Sequence, residues 1–284
     1  MTGAPTGQPA YEARSRRVDR LSATFSSAAE ILAFYAEILI FQKKLGAQIA
    51  RYAQDHAMPA LDGGKRGGLD VSAVLPHFRG FLSLVESKGP VVLAESARQL
   101  AELPSDAWMA QLNAYWECAG CYDQQIGAFA QFFPRALLQP YAEFVANKHF
   151  VPSIGATPKL CPICGARPLL GILRPEGDGG KRFLLCSFCS HEWDFRRILC
   201  PTCAEEREEK LPVYVAEQPD RQPLGGFPHV RIEACDTCKF YIRTIDLTKD
   251  GNAIPIVDDL AAIPLTLWAH QHHYSRLQPN LLGT

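Results

Sequence analysis

Eight of the ten cysteines in this chain form four Cys-x-x-Cys pairs within one stretch: Cys161/Cys164, Cys186/Cys189, Cys200/Cys203 and Cys235/Cys238. A pair at this spacing turns both sulfurs toward one point. Two pairs therefore complete a four-thiolate shell, and four pairs build two. Such shells suit tetrahedral zinc or a single iron in a rubredoxin-like cage. Met1–Ala10 is polar and lacks the apolar run of a secretory leader. The pairs are accordingly expected to stay reduced and to bind metal rather than form disulfides.

The sequence between the pairs says how the shells are assembled. In Leu160-Cys-Pro-Ile-Cys-Gly165, Pro162 fixes φ in the turn, and Gly165 admits a left-handed backbone that lets amide groups face sulfur. Residues 166–171 and Arg182–Leu185, separated by turn residues at Pro175–Gly180, read as a hairpin ending on Cys186-Ser-Phe-Cys189. The plan then repeats. Cys200-Pro-Thr-Cys203 leads to a strand over Leu211–Ala216, a loop over Pro219–Gly226 and a strand over Val230–Ala234. Cys235-Asp-Thr-Cys238 and a strand over Lys239–Ile245 complete the second copy. The gaps within the two copies are 21 and 31 residues, each spanned by its own hairpin. Sequential pairing is therefore expected, with an interleaved cross-brace of Cys161/Cys164 and Cys200/Cys203 as the alternative. Trp193 and Phe195, between the copies, are expected to cover the knuckles.

Upstream the pattern is helical. Residues 1–25 are polar and read as a flexible segment. From Ser26 onward, Ile31, Phe34, Tyr35, Ile38, Phe41, Leu45 and Ile49 recur at three and four residues, predicting a helix to about His56. Asp62–Gly68 reads as a loop. Further helices are expected to carry Val74, Phe78 and Phe81, then Leu93 and Ala97 after Pro90, then Trp108, Leu112 and Trp116 after a Ser105 cap. Pro134 and Pro140 are expected to kink or split the run toward Phe150. Near the end, Asp258 and Asp259 stand as candidate caps of a helix carrying Leu260, Ile263 and Leu267, with a break or restart at Pro264. The fold class expected is multidomain α+β. A flexible segment (1–25) precedes an all-helical domain (26–155), two rubredoxin-like or zinc-ribbon modules (156–198 and 199–250), and a C-terminal helix and tail (251–284).

Composition narrows the function. A chain of 284 residues that is 47% hydrophobic can build a core without help from metal. Its formal net charge of -1 leaves no electrostatic footprint for nucleic acid, and no apolar run is long enough to predict a membrane span. A four-thiolate shell closes the coordination position that catalytic zinc keeps open. No H-E-x-x-H, G-x-S-x-G or P-loop pattern occurs either, so no catalytic residue is assigned. A rubredoxin-like iron could carry an electron, which makes electron transfer the rival to a structural role. Cys118/Cys121 sits in a helical pattern without a partner pair and is expected to be a buried or half-buried structural pair. His191 is expected beside the first site rather than in it, because eight cysteines already fill both shells. His270, His272 and His273 are expected at a solvated helix end.

The motif set Cys161-Pro-x-Cys-Gly165, Cys186-x-x-Cys-x-x-Glu-Trp193, Cys200-Pro-x-Cys203 and Cys235-x-x-Cys238, with the Asp258-Asp-Leu-Ala tail, resembles the FdhE family of bacterial formate dehydrogenase accessory proteins. The resemblance implies a cytoplasmic, non-catalytic, chaperone-like factor. Its implied partner is the molybdenum- and selenocysteine-containing catalytic subunit of formate dehydrogenase, before export by the twin-arginine route. The resemblance also implies two bound metal ions, iron (Fe2+/Fe3+) favoured and Zn2+ as the alternative, held by Cys161, Cys164, Cys186, Cys189, Cys200, Cys203, Cys235 and Cys238. Cys118 and Cys121 lie outside the family pattern.

Overall fold

The computed structural model describes residues 8–62, 65–118, 127–148, 157–215 and 227–284. Its first half is a helical bundle around α2 (Ala29–Asp55), which buries Phe34, Tyr35, Ile38, Leu45 and Ile49 as its periodicity predicts. Against α2 pack α1 (Gln8–Thr24), α3 (Phe78–Lys88) and α6 (Gly127–Ala146). α4 (Val91–Ala101) lies on α3, and α5 (Ser105–Glu117) on α6. Phe81, Phe132 and Phe133 meet through tilted and edge-to-face contacts, as do Trp116 and Tyr141. Each such buried ring contributes about 1.5–3 kcal/mol from apolar burial. A two-residue pair, β1 (Leu61–Asp62) with β2 (Lys65–Arg66), stands where a loop was expected.

Two sequence expectations fail here, each for a physical reason. Within the expected flexible segment 1–25, Gln8–Thr24 is instead a helix, residues 1–7 lying outside the described residues. α1 turns Tyr11, Arg14, Val18 and Leu21 inward, and its polarity misleads because part of the buried face is charged. Arg14 pairs with Glu143 at 2.9 Å, and Arg17 with Asp258 at 2.5 Å and Asp250 at 2.8 Å. Likewise α6 is not split into two short helices, because one helix runs through Pro134 and Pro140. Pro140 has no N–H for the carbonyl of Ala136, and the buried Gln42 amide donates to that carbonyl instead, at 2.8 Å.

The cysteine half forms one continuous sheet, ordered β5-β4-β3-β8-β7-β6. The first module gives β3 (Pro168–Glu176), β4 (Gly179–Cys186) and β5 (Glu192–Asp194). The second gives β6 (Val213–Val215), β7 (Val230–Ala234) and β8 (Phe240–Asp246). Within each module the neighbours are antiparallel, and the modules join where β3 runs parallel to β8, Gly171 opposite Thr244. A Cβ at Gly171 would collide with Thr244 Oγ1, so glycine is what lets these strands close. The second module thus repeats the first by displacement along the sheet. Parallel β3 and β8 begin at the same edge, which places all four knuckles along it.

The tail is two short helices, α7 (Pro255–Ala261) and α8 (Ile263–Gln271), with the restart at Pro264. The restart shifts the helical phase, so Leu265 and Ala269 are buried while Leu267 is exposed. A last strand, β9 (Ser275–Arg276), lies parallel to β8. Asp258 and Asp259 are not N-caps, because α7 begins at Pro255 with Ile254 at its cap and both carboxylates lie inside the helix. Asp258 accepts from the backbone N–H of Ile254 at 2.8 Å and also receives Arg17 and His229. Asp259 receives Arg243 at 2.9 Å, Arg276 at 2.7 Å and Asn280 at 3.0 Å. The two side by side tie the tail to α1 on one hand and to the sheet on the other.

Candidate metal centres

All four Cys-x-x-Cys pairs share one backbone conformation. The N–H of the first cysteine donates to the carbonyl five residues on: Cys161 to Ala166, Cys186 to His191, Cys200 to Glu205 and Cys235 to Phe240, at 2.8–2.9 Å. The residue after the second cysteine is left-handed: Gly165 at φ 72°, Ser190 at 56°, Ala204 at 65° and Lys239 at 59°. The conformation expected of Gly165 therefore occurs four times, three of them without glycine. Each of those three costs roughly 1–2 kcal/mol and persists only because its surroundings hold it. The turns aim amides at sulfur. Phe188 and Cys189 N–H both lie 3.4 Å from Cys186 Sγ, and Thr202 and Cys203 N–H lie 3.4 and 3.5 Å from Cys200 Sγ.

The sulfurs gather in sequential fours. Cys161, Cys164, Cys186 and Cys189 lie within 4.8 Å of one another, as do Cys200, Cys203, Cys235 and Cys238. Across the first group Cys161 Sγ is 3.6 Å from Cys189 Sγ, and Cys164 Sγ is 3.4 Å from Cys186 Sγ. Across the second the separations are 3.8 Å for Cys200–Cys238 and 3.6 Å for Cys203–Cys235. A disulfide needs about 2.05 Å. A tetrahedral thiolate shell with metal–sulfur bonds of about 2.3 Å has edges of about 3.8 Å. The donor set thus fits two four-coordinate ions in size and in chemistry.

Electrostatics point the same way. Burial pushes the Cys186 and Cys189 thiols well up, and the crowded sulfurs push them further. Hydrogen bonds from Cys161, Cys186 and Cys189 hold Cys164 well below the ordinary thiol range. Four buried sulfurs at this spacing cannot all ionise unless a cation sits among them, and a bound metal would supply that charge.

The two groups have different surroundings. The first is wholly buried. Ser187 gives its carbonyl to Arg135 of α6 at 3.1 Å, Phe188 meets Tyr115 and Trp116 of α5, and Ser190 donates to Glu143 at 2.6 Å. Trp193 and Phe195 are buried. The Trp193 indole donates to the Pro158 carbonyl at 2.8 Å, and Phe195 lies beside Arg182 rather than covering the knuckles as expected. In the second group Cys200 and Cys235 are buried, Cys238 is half-buried and Cys203 is exposed. On its outer side Thr237 donates to Glu205 at 2.6 Å, and Glu205 also binds Arg207; on the tail side Tyr274 donates to Asp236 at 2.8 Å and Ser275 N–H to the Lys239 carbonyl at 2.8 Å.

Family models describing the FdhE central domain and the FdhE C-terminal domain match residues 160–197 and 198–282. The chain is similar to the FdhE family over these segments. An FdhE homolog from Aquifex aeolicus is 26% identical over 279 residues, spanning 94% of this chain and 93% of its own. One from Pseudomonas putida is 28% identical over 291 residues, spanning 96% and 86%. The crystal structure of the FdhE protein from Pseudomonas aeruginosa shares the fold, with a TM-score of 0.72 at 24% identity over 100% of this chain and 99% of that one.

The remaining candidates are not among the residues of either sulfur group. His191 lends its carbonyl to Cys186, and its ring lies parallel to Trp193 at 6.5 Å. His270, His272 and His273 are exposed, and His272 stacks on Trp268 at 3.9 Å. Cys118, expected to be buried or half-buried, is exposed at the end of α5, and Cys121 lies outside the described residues. Sequence reasoning missed a third convergence, His229, Asp250 and Asp258. Arg17 reaches both of its carboxylates, so a guanidinium already supplies the positive charge there. The spacing of Tyr11, Arg14, Val18 and Leu21 was the available clue that α1 reached this far.

Proposed function

We propose that this chain is a non-catalytic accessory protein in formate dehydrogenase maturation. In this reading it binds the enzyme's catalytic subunit in the cytoplasm, through a surface made by the helical bundle and the metal modules. The eight cysteines of the two groups are its metal ligands, with iron the favoured ion. Similarity to the FdhE central and C-terminal domains supports the role, and the observation that carries the metal reading is the gathering of four sulfurs, twice, at tetrahedral spacing. Among the described residues no helix is long and apolar enough to cross a membrane, which agrees with a partner met in solution. Bound iron would supply a centre that cycles between ferrous and ferric states. The first group would hold it buried and the second with Cys203 exposed, both with amides aimed at the sulfurs.

The test has two readouts. Anaerobically purified protein is expected to carry iron with a ferric thiolate absorption, and the tagged chain is expected to retain the catalytic subunit from a lysate of cells making formate dehydrogenase. Zinc in both sites would reduce the modules to scaffold. Failure to retain the subunit, together with fast reversible reduction by a generic reductase, would favour general electron transfer.

A further inference from the structure

We propose that the two four-sulfur groups are unequal in kinetics: the group Cys200, Cys203, Cys235 and Cys238 exchanges its ion with external thiol or chelating ligands, and the group Cys161, Cys164, Cys186 and Cys189 does not. This rests on the reading that both groups hold metal.

Exchange at a closed four-sulfur shell needs an incoming donor to approach the ion as one sulfur leaves. In the first group no sulfur offers that path. Cys164 is 0% exposed and Cys189 3%. Helices α5 and α6 pack on the second knuckle, Trp116 against Phe188, and Arg135 and Glu143 pin it through Ser187 and Ser190. To lose a ligand there, the bundle must part from the sheet.

The second group is open from two sides. Outside, Cys203 is exposed and Cys238 half-buried. Inside, a cavity of about 440 Å³ between the modules has Cys200 and Cys235 in its wall, with Leu211 and Ile242 beside them. Arg182 of the first module bridges to Glu233 of the second at 2.6 Å in the same cavity wall. No helix of the bundle lines this cavity. The turn itself is strained on both knuckles, since Ala204 and Lys239 hold left-handed φ without being glycine.

The step follows from this access. With an ion held by the four sulfurs, Cys203 would be the ligand given up first as an incoming thiolate or chelator took its place, and the released thiolate would take a proton from water. Cys238 follows. No oxidant or reductant is required, because the metal keeps its charge throughout.

The full chain, loaded with zinc and mixed with excess 4-(2-pyridylazo)resorcinol, tests this directly. Two ions are expected to leave in two phases of equal amplitude, the first at least 100-fold faster than the second. Cys203→Ser is expected to erase the fast phase and leave one slowly released ion. Brief iodoacetamide treatment of the wild type, mapped by mass spectrometry, is expected to alkylate Cys203 before any cysteine of the first group, a readout that needs no variant to fold. A single phase releasing both ions, a fast phase that survives Cys203→Ser, or first alkylation at Cys161, Cys164, Cys186 or Cys189 would each overturn the inequality. A wild-type chain that binds no ion would overturn the metal reading itself, and the inequality with it.

Discussion

The two cysteine modules have the same four-residue turns, the same closing hydrogen bonds and the same left-handed residue after each pair. They differ in what surrounds them. The first is wedged between the sheet and the helical bundle, and its second knuckle is bonded to α6 and α1 through Arg135, Glu143 and Arg14. The second has an exposed sulfur, and its last knuckle is held by the tail, where Tyr274 donates to Asp236 and Ser275 N–H donates to the Lys239 carbonyl, rather than by the helical bundle. One motif has thus been given two contexts, a keystone and an outpost. Local sequence sets the shape of each knuckle, and tertiary packing sets how much of the molecule depends on it.

The largest test of this contrast compares one ligand from each group. Structural thiolate sites contribute on the order of 10 kcal/mol of binding free energy, which is folding free energy when the site is assembled by the fold. Cys164→Ser is expected to abolish the cooperative melt of both sheet and bundle, followed by far-ultraviolet circular dichroism. Cys203→Ser is expected to lower metal content by one ion and leave the bundle's melt in place. Equal damage from both would erase the distinction.

Buried ion pairs give the next effect. Glu143→Ala strands Arg14, and a loss of about 3–5 kcal/mol is expected from urea denaturation. Arg196→Ala, which breaks only the exposed pair with Glu206, should cost about 1 kcal/mol or less. Asp259 tests the tail in the same way, with a pH signature. Burial alone would raise its carboxyl, but Arg243 and Arg276, helped by Asn280, outweigh burial and hold it below its ordinary value. A lowered folded value means stabilisation that is complete above the unfolded carboxylate range of about pH 4 and is lost as pH falls through the folded value. Asp259→Asn is therefore expected to be less stable than wild type at pH 7, with the gap narrowing in acid below about pH 4.

Smaller effects sharpen the picture. Gly171→Ala forces β3 and β8 apart at the junction of the modules and should cost about 1–3 kcal/mol. Ala204→Gly relieves a left-handed alanine and is expected to raise stability by about 1 kcal/mol, whereas Gly165→Ala should lower it by a similar amount. If both changes act in the same direction, the shared conformation of the knuckles is not a source of strain.

Much of this architecture can be read from the chain. The Cys-x-x-Cys spacing gives the turns, and hairpin patterns between the pairs give their sequential grouping, because both are local. The stripe of α2 is equally legible, since apolar periodicity alone defines its buried face. What the sequence hides depends on partners far along the chain. α1 looks disposable because its inward face carries Arg14 and Arg17, whose carboxylates lie more than 125 residues away at Glu143 and Asp258. α6 looks breakable because the amide that replaces Pro140's missing N–H belongs to Gln42. Asp258 and Asp259 look like caps because their arginines come from α1, β8 and β9. Nor does any pattern of residues show that two modules with identical knuckles differ in exposure, because that difference comes from the helices packed on one and not the other.

The central claim is that eight cysteines gather by fours around two separate ions. Metal-edge X-ray absorption on anaerobically purified chain, combined with metal quantitation, tests it most directly. The account predicts two ions per chain, each with four sulfur neighbours at about 2.3 Å. One ion per chain, a first shell containing nitrogen or oxygen, or sulfurs joined to one another at about 2.05 Å would contradict it.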